Sequence, residues 1–243
     1  MPVIAYIMVA VAAYLLGSIP FGFLVAKAKG IDIRSVGSGN IGATNAMRVL
    51  GKPAGIFVLL LDALKGYVAV KYLPIMMINF VGERVGLIFE PNDIQELQII
   101  AGIFAVLGHN YTCWLKFKGG KGIATSAGVY LALAWPAVFI ALVFFILAVL
   151  LTKYVSVGSI AAAIALVVTV WIMTPQSLFL CIVTTALGAL AIYKHRSNIQ
   201  RLMAGTENRL GKKSETKKLE SPCSARARGE RRSPKSSAKT ATP

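Results

Sequence analysis

The chain has 243 residues, of which 56% are hydrophobic and only 15% are charged, and its formal net charge is +16 at pH 7. Soluble domains contain about 25% charged residues, so this composition excludes an ordinary soluble enzyme and indicates an integral membrane protein. Residues 211–243 are basic and rich in Ser, with almost nothing apolar. We expect them to form a disordered cytosolic tail with no nucleic-acid partner, and residues 1–210 to form the folded domain.

Apolar runs predict seven transmembrane helices, so the expected fold class is all-α and polytopic. A spanning helix needs about 20 mainly apolar residues, and the third and fourth runs are short and interrupted by polar residues. Pro136 and Pro175 predict tight turns between consecutive spans. The predicted spans are 3–26, 54–79, 97–113, 122–135, 136–152, 157–174 and 176–193.

Lys and Arg residues fall on one side of this arrangement. The loops 27–53, 114–121 and 153–156 and the tail from Lys194 hold the basic clusters, whereas the loop 80–96 has one Arg and four acidic residues. Because loops on the cytosolic side carry an excess of Lys and Arg, this pattern predicts an external N-terminus and an internal C-terminus.

The loop after the first span contains a dense polar motif, VGSGNIGATNAMR (36–48). Its glycines let backbone amides approach an anion closely. A flexible Gly/Ser loop is the alternative, and the lack of GxxxxGK[ST] argues against nucleotide hydrolysis. The candidate phosphate-binding residues of this motif are Ser38, Gly39, Asn40, Thr44, Asn45 and Arg48, whose planar guanidinium suits phosphate.

A second polar motif, LGHNYTCWLKFKGGKGIATSAG (107–128), leads into the fourth span. Gly120 and Lys121 combine backbone freedom with a cation. The helix that follows begins on the same side, and helix N-termini favour anions. His109 lies near the start of the motif. The alternatives are that His109 makes only a structural hydrogen bond, and that the lysines only mark the cytosolic side of the membrane, where basic residues are enriched.

Asp62 and Lys65 lie three residues apart within the second span, so they can pair on one helix face. Charges inside a membrane are usually functional or face the bundle interior, and a structural ion pair is the alternative. Ser159 begins the sixth span. His195 and Asn198 follow the seventh, where 198–205 predicts a short amphipathic helix at the membrane surface. Because no His, Asp or Glu cluster has metal-ligand spacing, we expect no metal and no cofactor.

Five sequence blocks, taken together and in order, resemble the PlsY family of bacterial acyl-phosphate:glycerol-3-phosphate acyltransferases. They are GSIPFG, SGNIGATNAMR, LDALKG, GHNYTCWLKFKGGKGIATSAG and HRSNIQRLMAGTENRLG. The resemblance implies a seven-span inner-membrane enzyme whose active site faces the cytosol. It also implies transfer of an acyl chain from acyl phosphate to the 1-hydroxyl of glycerol 3-phosphate, giving lysophosphatidic acid and phosphate. The soluble enzyme that makes acyl phosphate is then a candidate partner.

From this resemblance we expect two phosphate sites. Arg48, Lys121 and Ser159 would hold one phosphate, and residues 37–45 the other. Asp62 would support the site together with Lys65.

The proton acceptor is left open by the sequence. His109, His195 and a phosphate oxygen of a substrate are the candidates, and His195 with Asn198 would orient a phosphate or the hydroxyl. A transporter for organic phosphates and a membrane scaffold are the alternatives from other classes of protein. Transporter sites usually lie on broken helices at the middle of the membrane, which favours the enzyme.

Overall fold

The computed structural model describes residues 3–85 and 91–210, and within these ranges all regular structure is helical. The predicted basic tail and part of the loop 80–96 lie outside the described residues. A short 3₁₀ turn spans Cys113–Leu115. The helices are α1 (Val3–Ser18), α2 (Phe21–Lys27), α3 (Ala43–Leu50), α4 (Lys52–Lys71), α5 (Leu73–Val85), α6 (Pro91–Asn110), α7 (Ile123–Leu133), α8 (Trp135–Thr152), α9 (Val155–Met173), α10 (Leu178–Lys194) and α11 (Arg196–Met203).

Several of these helices are long and apolar enough to cross a membrane. In the part of the chain that the structure describes there are four such segments, or five if α10 and α11, which meet at a bend of 50°, form one span. α7 has 11 residues and is therefore about 16 Å long, roughly half the thickness of a hydrocarbon core. The expectation of a helical membrane protein is thus confirmed, while the number seven stays a prediction. The four segments are Val3–Lys27, Lys52–Phe80, Trp135–Thr152 and Val155–Met173.

Two predicted spans contain breaks that the sequence reasoning did not place. The first divides between α1 and α2 at Pro20, and the second divides between α4 and α5 at Tyr72. Proline lacks a backbone donor and disfavours a helical conformation in the residue before it. Pro20 and Pro74 therefore account for both breaks.

The outward face of α8 is apolar along its whole length. Phe139, Val143, Phe144 and Leu147 are each about half exposed. A soluble protein rarely exposes so large a contiguous apolar surface, whereas hydrocarbon chains solvate it well. This face therefore fits contact with lipid.

α4 and α7 cross closely because glycines lie at the crossing. A Cβ atom added to Gly66 would collide with the carbonyl oxygen of Thr125, and one added to Gly128 would collide with that of Ala63. Small residues allow such close approach between membrane helices. The crossing fixes the N-terminal end of α7 beside the middle of α4.

The loop between α2 and α3 has a small core of its own. Ile33 and Ile41 are buried there, and they pack with Ala46 of α3 and Val58 of α4. An apolar anchor of this kind orders a segment that composition alone would describe as flexible.

Asn45 organises the same loop from its buried position on α3. Its Nδ2 atom donates hydrogen bonds to the carbonyl oxygens of Ile33 (3.2 Å), Val36 (3.1 Å) and Asn40 (2.9 Å). Its Oδ1 atom accepts one from the backbone amide of Ser38, at 2.8 Å. The predicted anion loop is therefore an ordered cap whose shape depends on one side chain.

Candidate active site

A polar cleft of about 150 Å³ lies where α3, α7 and α9 begin and where α10 ends. It unites most of the residues that the sequence singled out, although they come from five separate segments. Gly39, Gly120 and Lys65 do not line it. The predicted residues in its lining are Ser38, Asn40, Thr44, Asn45, Arg48, Asp62, His109, Lys121, Ser159, His195 and Asn198.

Three helix N-termini converge on this cleft. The first amides of a helix have no partner within the helix and carry the positive end of its dipole. At these three starts, all within the described residues, no side chain caps the amides and no acidic residue occupies the first turn. The backbone itself therefore favours an anion here. The residues concerned are Ala43 and Thr44 on α3, Ile123 and Ala124 on α7, and Val155 and Ser156 on α9.

Cationic side chains outnumber carboxylates in the lining. Three cations, Arg48, Lys121 and Arg201, line the cleft. Of the two carboxylates in the lining, Asp62 is neutralised by its ion pair with Lys65, so Glu207 is the one whose charge acts on the cleft. A phosphate monoester carries about −1.5 to −2 charges at pH 7. The excess positive charge of the lining is of matching size.

Lys121 lies at the centre of this charge distribution. Its Nζ atom donates a hydrogen bond to Oδ1 of Asn198. Burial, and then the positive charge of Arg201, lower the pKa of Lys121 to about 8. The ammonium form is therefore retained at pH 7, but with little margin, because the site holds few anions of its own to stabilise it.

The imidazole of His195 has a fixed tautomer. Its Nδ1 atom lies 2.8 Å from the carbonyl oxygen of Ala191, and a carbonyl only accepts hydrogen bonds, so Nδ1 carries the proton. Burial, and then the charge of Lys121, lower the pKa of His195 to about 4. At pH 7 the ring is thus neutral, and Nε2 can accept a hydrogen bond from a hydroxyl group.

Asp62, Lys65 and His109 form a buried cluster behind the cleft. The carboxylate of Asp62 lies 2.8 Å from Nζ of Lys65 and 3.5 Å from Nδ1 of His109. Lys65 also donates a hydrogen bond to the carbonyl oxygen of Ile19, at 2.8 Å. Asp62 and His109 reach the cleft, whereas Lys65 ties the cluster to the break between α1 and α2.

Gly120 serves packing between the GGKG segment and His109. Its amide donates to the carbonyl oxygen of His109 at 3.0 Å, and a Cβ atom on Gly120 would collide with the imidazole ring. Gly120 therefore brings the neighbouring Lys121 to the cleft without lining it.

Glu207 is a site residue that the sequence reasoning missed. Its carboxylate accepts hydrogen bonds from Ser156 (3.0 Å), Asn198 (2.7 Å) and Arg201 (2.8 Å). Burial alone would raise the pKa of Glu207, but these donors outweigh it and hold the pKa below its ordinary value. One signal was available, because Glu207 is the only acidic residue between positions 97 and 210.

An apolar groove of about 360 Å³ adjoins the polar cleft. Its walls come from α4, α7, α8, α9 and α10, and the side chains along it are mainly Ala, Leu, Val and Ile. The two spaces share part of their lining. The shared residues are Leu59, Ile123, Ala124, Phe145 and Ser159.

A cationic cleft that adjoins an apolar groove, within a bundle of apolar helices, has the shape and charge expected of the class of membrane proteins that act on anionic, amphiphilic molecules. A family model described as "Glycerol-3-phosphate acyltransferase" matches residues 7–205. The glycerol-3-phosphate acyltransferase of Geotalea daltonii is 43% identical over 203 residues, which cover 83% of this chain and 96% of the relative. That of Trichlorobacter lovleyi is 46% identical over 197 residues, covering 81% and 93%. The chain therefore belongs to the glycerol-3-phosphate acyltransferase family.

Solved structures agree with this assignment. The crystal structure of PlsY (YgiH), an integral membrane glycerol 3-phosphate acyltransferase, in its glycerol 3-phosphate form has a TM-score of 0.73 and 37% sequence identity, and covers 85% of this chain and 96% of that chain. The lysophosphatidic acid form has a TM-score of 0.68 at the same identity, covering 85% and 95%. The resemblance to the PlsY family predicted from the sequence blocks is confirmed.

Proposed function

We propose that this protein transfers an acyl chain from acyl phosphate to the 1-hydroxyl of glycerol 3-phosphate, releasing lysophosphatidic acid and phosphate. The observation that carries the proposal is the shared border of the polar cleft and the apolar groove. A donor with a charged head and a hydrocarbon chain fits both spaces at once, and its acyl carbonyl then lies at the border, beside Ser159.

The cleft suits two phosphate groups in succession or together. Arg48 and Lys121 are the candidate ligands of one phosphate, together with the first amides of α7 and α9. The first amides of α3, with Ser38 and Thr44, are the candidate ligands of the other. The amide of Ser38 already donates within the loop, so Ser38 contributes its hydroxyl group.

Catalysis then rests mainly on positioning. Acyl phosphate is a mixed anhydride with a good leaving group, so the glycerol hydroxyl needs alignment more than strong activation, and alignment alone can contribute about 7–11 kcal/mol. The amide ends of the helices stabilise the charge that develops on the carbonyl and phosphate oxygens. No metal or other cofactor takes part in this proposal.

A substrate phosphate is the proposed proton acceptor. The second pKa of phosphate is about 6, whereas the pKa of His195 is about 4, so phosphate binds the proton more tightly at pH 7. Nε2 of His195 orients glycerol 3-phosphate by accepting a hydrogen bond from its other hydroxyl group, so that the proton of the 1-hydroxyl passes to the phosphate. Asn198 holds Lys121 in place. His109 supports the GGKG segment.

Separate His109→Ala and His195→Ala variants test this assignment, with kcat measured at saturating substrates. If His195 only orients the substrate, His195→Ala should lower kcat by less than removal of a general base, which typically costs about 10²–10⁴-fold. The phosphate assignment would be contradicted if either variant lost kcat by a factor near the upper end of that range and if kcat of the wild type rose with pH as a histidine-like group deprotonates.

We further propose seven spans, an external N-terminus, and an active site on the cytosolic side of the inner membrane. The basic loops support this orientation, because Lys27, Lys29 and Arg34 lie in the segment that leads into the cleft residues Ser38–Arg48. Acyl phosphate would then arrive from the side on which a soluble enzyme makes it.

The reaction is tested with the purified full chain in detergent. Synthetic acyl phosphate and glycerol 3-phosphate should yield lysophosphatidic acid and inorganic phosphate in equal amounts, and acyl-CoA or acyl carrier protein thioesters should not replace the donor. Product formation without a membrane compartment excludes a transporter or a scaffold. Turnover with a thioester donor alone would refute the proposed donor.

A further inference from the structure

The far end of the apolar groove carries a hydrogen-bonded pair of side chains. Tyr130 of α7 donates a hydrogen bond from its hydroxyl to Oγ1 of Thr184 on α10, at 2.8 Å. Thr184 in turn donates to the carbonyl oxygen of Leu180, at 2.7 Å. We call this pair the Tyr130–Thr184 bar.

The order of residues along four helices places the bar farthest from the polar cleft. On α7 the groove begins at Ile123, which also lines the cleft, and its last residue is Tyr130. The separation of seven positions between Ile123 and Tyr130 corresponds to about 10 Å of helix. On α10 the groove residues run from Ala191, next to the cleft residue His195, to Thr184.

α8 and α9 show the same order. The groove runs from Phe145 to Val138 on α8, and from Ser159 to Leu166 on α9. In each case the first residue also lines the cleft. The groove therefore has an entrance at the polar site and a defined far end.

The bar is held rigidly. Tyr130 and Thr184 are each only 1% exposed, and both hydroxyl groups have partners of good geometry. Moving either side chain would leave a polar group unpaired in apolar surroundings, which is costly. A chain entering from the cleft therefore meets a fixed obstacle rather than a yielding one.

We infer that the Tyr130–Thr184 bar sets the upper limit of acyl-chain length that the groove accepts. This inference rests on the proposed function, because it treats the groove as the site of the donor's acyl chain. Methylene groups of the acyl chain that lie between the cleft and the bar are buried in the groove and contribute to binding. Additional methylene groups cannot pass the bar, so they contribute nothing.

The test compares acyl phosphates of increasing chain length with the purified protein in lipid nanodiscs. In the wild type, kcat/KM for the donor should rise about fourfold with each added methylene, which corresponds to about 0.8 kcal/mol, until the bar is reached. In Tyr130→Ala the rise should continue to longer chains. In Ala141→Leu, which fills the groove halfway along α8, it should stop at shorter chains, while KM for glycerol 3-phosphate stays unchanged.

Val143→Phe is the matched control, since Val143 lies on the outer face of α8 and does not line the groove. Its length limit should equal that of the wild type. If Tyr130→Ala does not fold, Ala141→Leu decides the question, because it must still use short donors.

The inference is overturned if the length limit is the same in the wild type and in the folded groove variants. It is also overturned if a groove variant loses activity equally with every donor, since that is the result of a merely structural role. Failure of the proposed function looks different, because the wild type itself would then use no acyl phosphate of any length.

Discussion

Replacing Asn45 by Asp changes almost nothing in volume but reverses the hydrogen bonding of one atom. Nδ2 of Asn45 donates to three carbonyl oxygens, at 2.9–3.2 Å, and an ionised Asp offers only acceptors. The two N–H groups of Nδ2 are shared among these three acceptors, and two to three hydrogen bonds at about 0.5–1.5 kcal/mol each give a loss of about 1–4.5 kcal/mol. Repulsion between the new charge and the three carbonyl groups adds to this loss.

Limited trypsin digestion in detergent measures the effect directly. Lys29 and Arg34 are exposed cleavage sites in the loop that Asn45 organises. When local opening precedes cleavage, the rate follows the free energy of opening. A loss of about 3 kcal/mol should therefore accelerate cleavage roughly a hundredfold, and kcat/KM for glycerol 3-phosphate should fall with it.

Asn40→Asp is the matched control in the same loop. Oδ1 of Asn40 accepts a hydrogen bond from the amide of Gly42, at 2.8 Å, and Asp can make this bond equally well. Cleavage should stay near the wild-type rate, although the added charge in the cleft should weaken phosphate binding. Equal cleavage rates in Asn45→Asp and Asn40→Asp would refute the organising role of Asn45.

Three further predictions concern the charged and packed parts of the site. Because the pKa of Lys121 is about 8, Lys121 loses its charge as the pH rises through that value. The value of kcat/KM for glycerol 3-phosphate should therefore decline above pH 8. Lys121→Arg should abolish this decline, since arginine stays charged. Asp62→Asn leaves Lys65 buried without its carboxylate partner, so thermal unfolding should show that the free energy of unfolding falls by about 3–5 kcal/mol. The double variant Asp62→Asn/Lys65→Met should recover part of this loss. Gly120→Ala forces the ring of His109 to move, so overpacking should lower the free energy of unfolding by about 1–3 kcal/mol. An unchanged thermal unfolding transition would contradict the packing role.

The site was predictable from the sequence where charge and helix starts define it. Lys121 directly precedes the predicted span 122–135, and Arg48 lies in the loop before the predicted span 54–79. Apolar runs place both spans without any knowledge of tertiary contacts. Both residues line the cleft, because an ammonium or guanidinium group at a membrane surface turns toward water and anions rather than toward lipid.

The direction in which a neutral polar side chain points was not predictable. Phosphate binding by Asn45 stays a prediction, but the four hydrogen bonds of its side chain all lie within the loop, which the sequence did not indicate. An amide serves an inward or an outward partner equally well, so composition does not distinguish them. The apolar residues Ile33 and Ile41, which interrupt the polar loop, were the overlooked sign that it packs against a core.

Distance along the chain is one reason why Glu207 was missed, although its partners Asn198 and Arg201 lie only nine and six residues away. Its partner Ser156 is 51 residues away, and only the tertiary fold brings the two together. From sequence alone, a single carboxylate among basic residues is interpreted as a solvent-exposed charge. Only the structure shows which side chains donate hydrogen bonds to it.

The three converging helix starts have a consequence for mutational scanning. Their positive potential comes from peptide groups, which no side-chain substitution removes and which do not titrate in the working range of pH. Part of the affinity for anions is therefore invisible to alanine scanning and to pH profiles. Two kinds of change would reveal how large that part is. Proline within a first turn removes one of the free amides without breaking the helix, and a bulky residue at Gly66 or Gly128 displaces the start of α7.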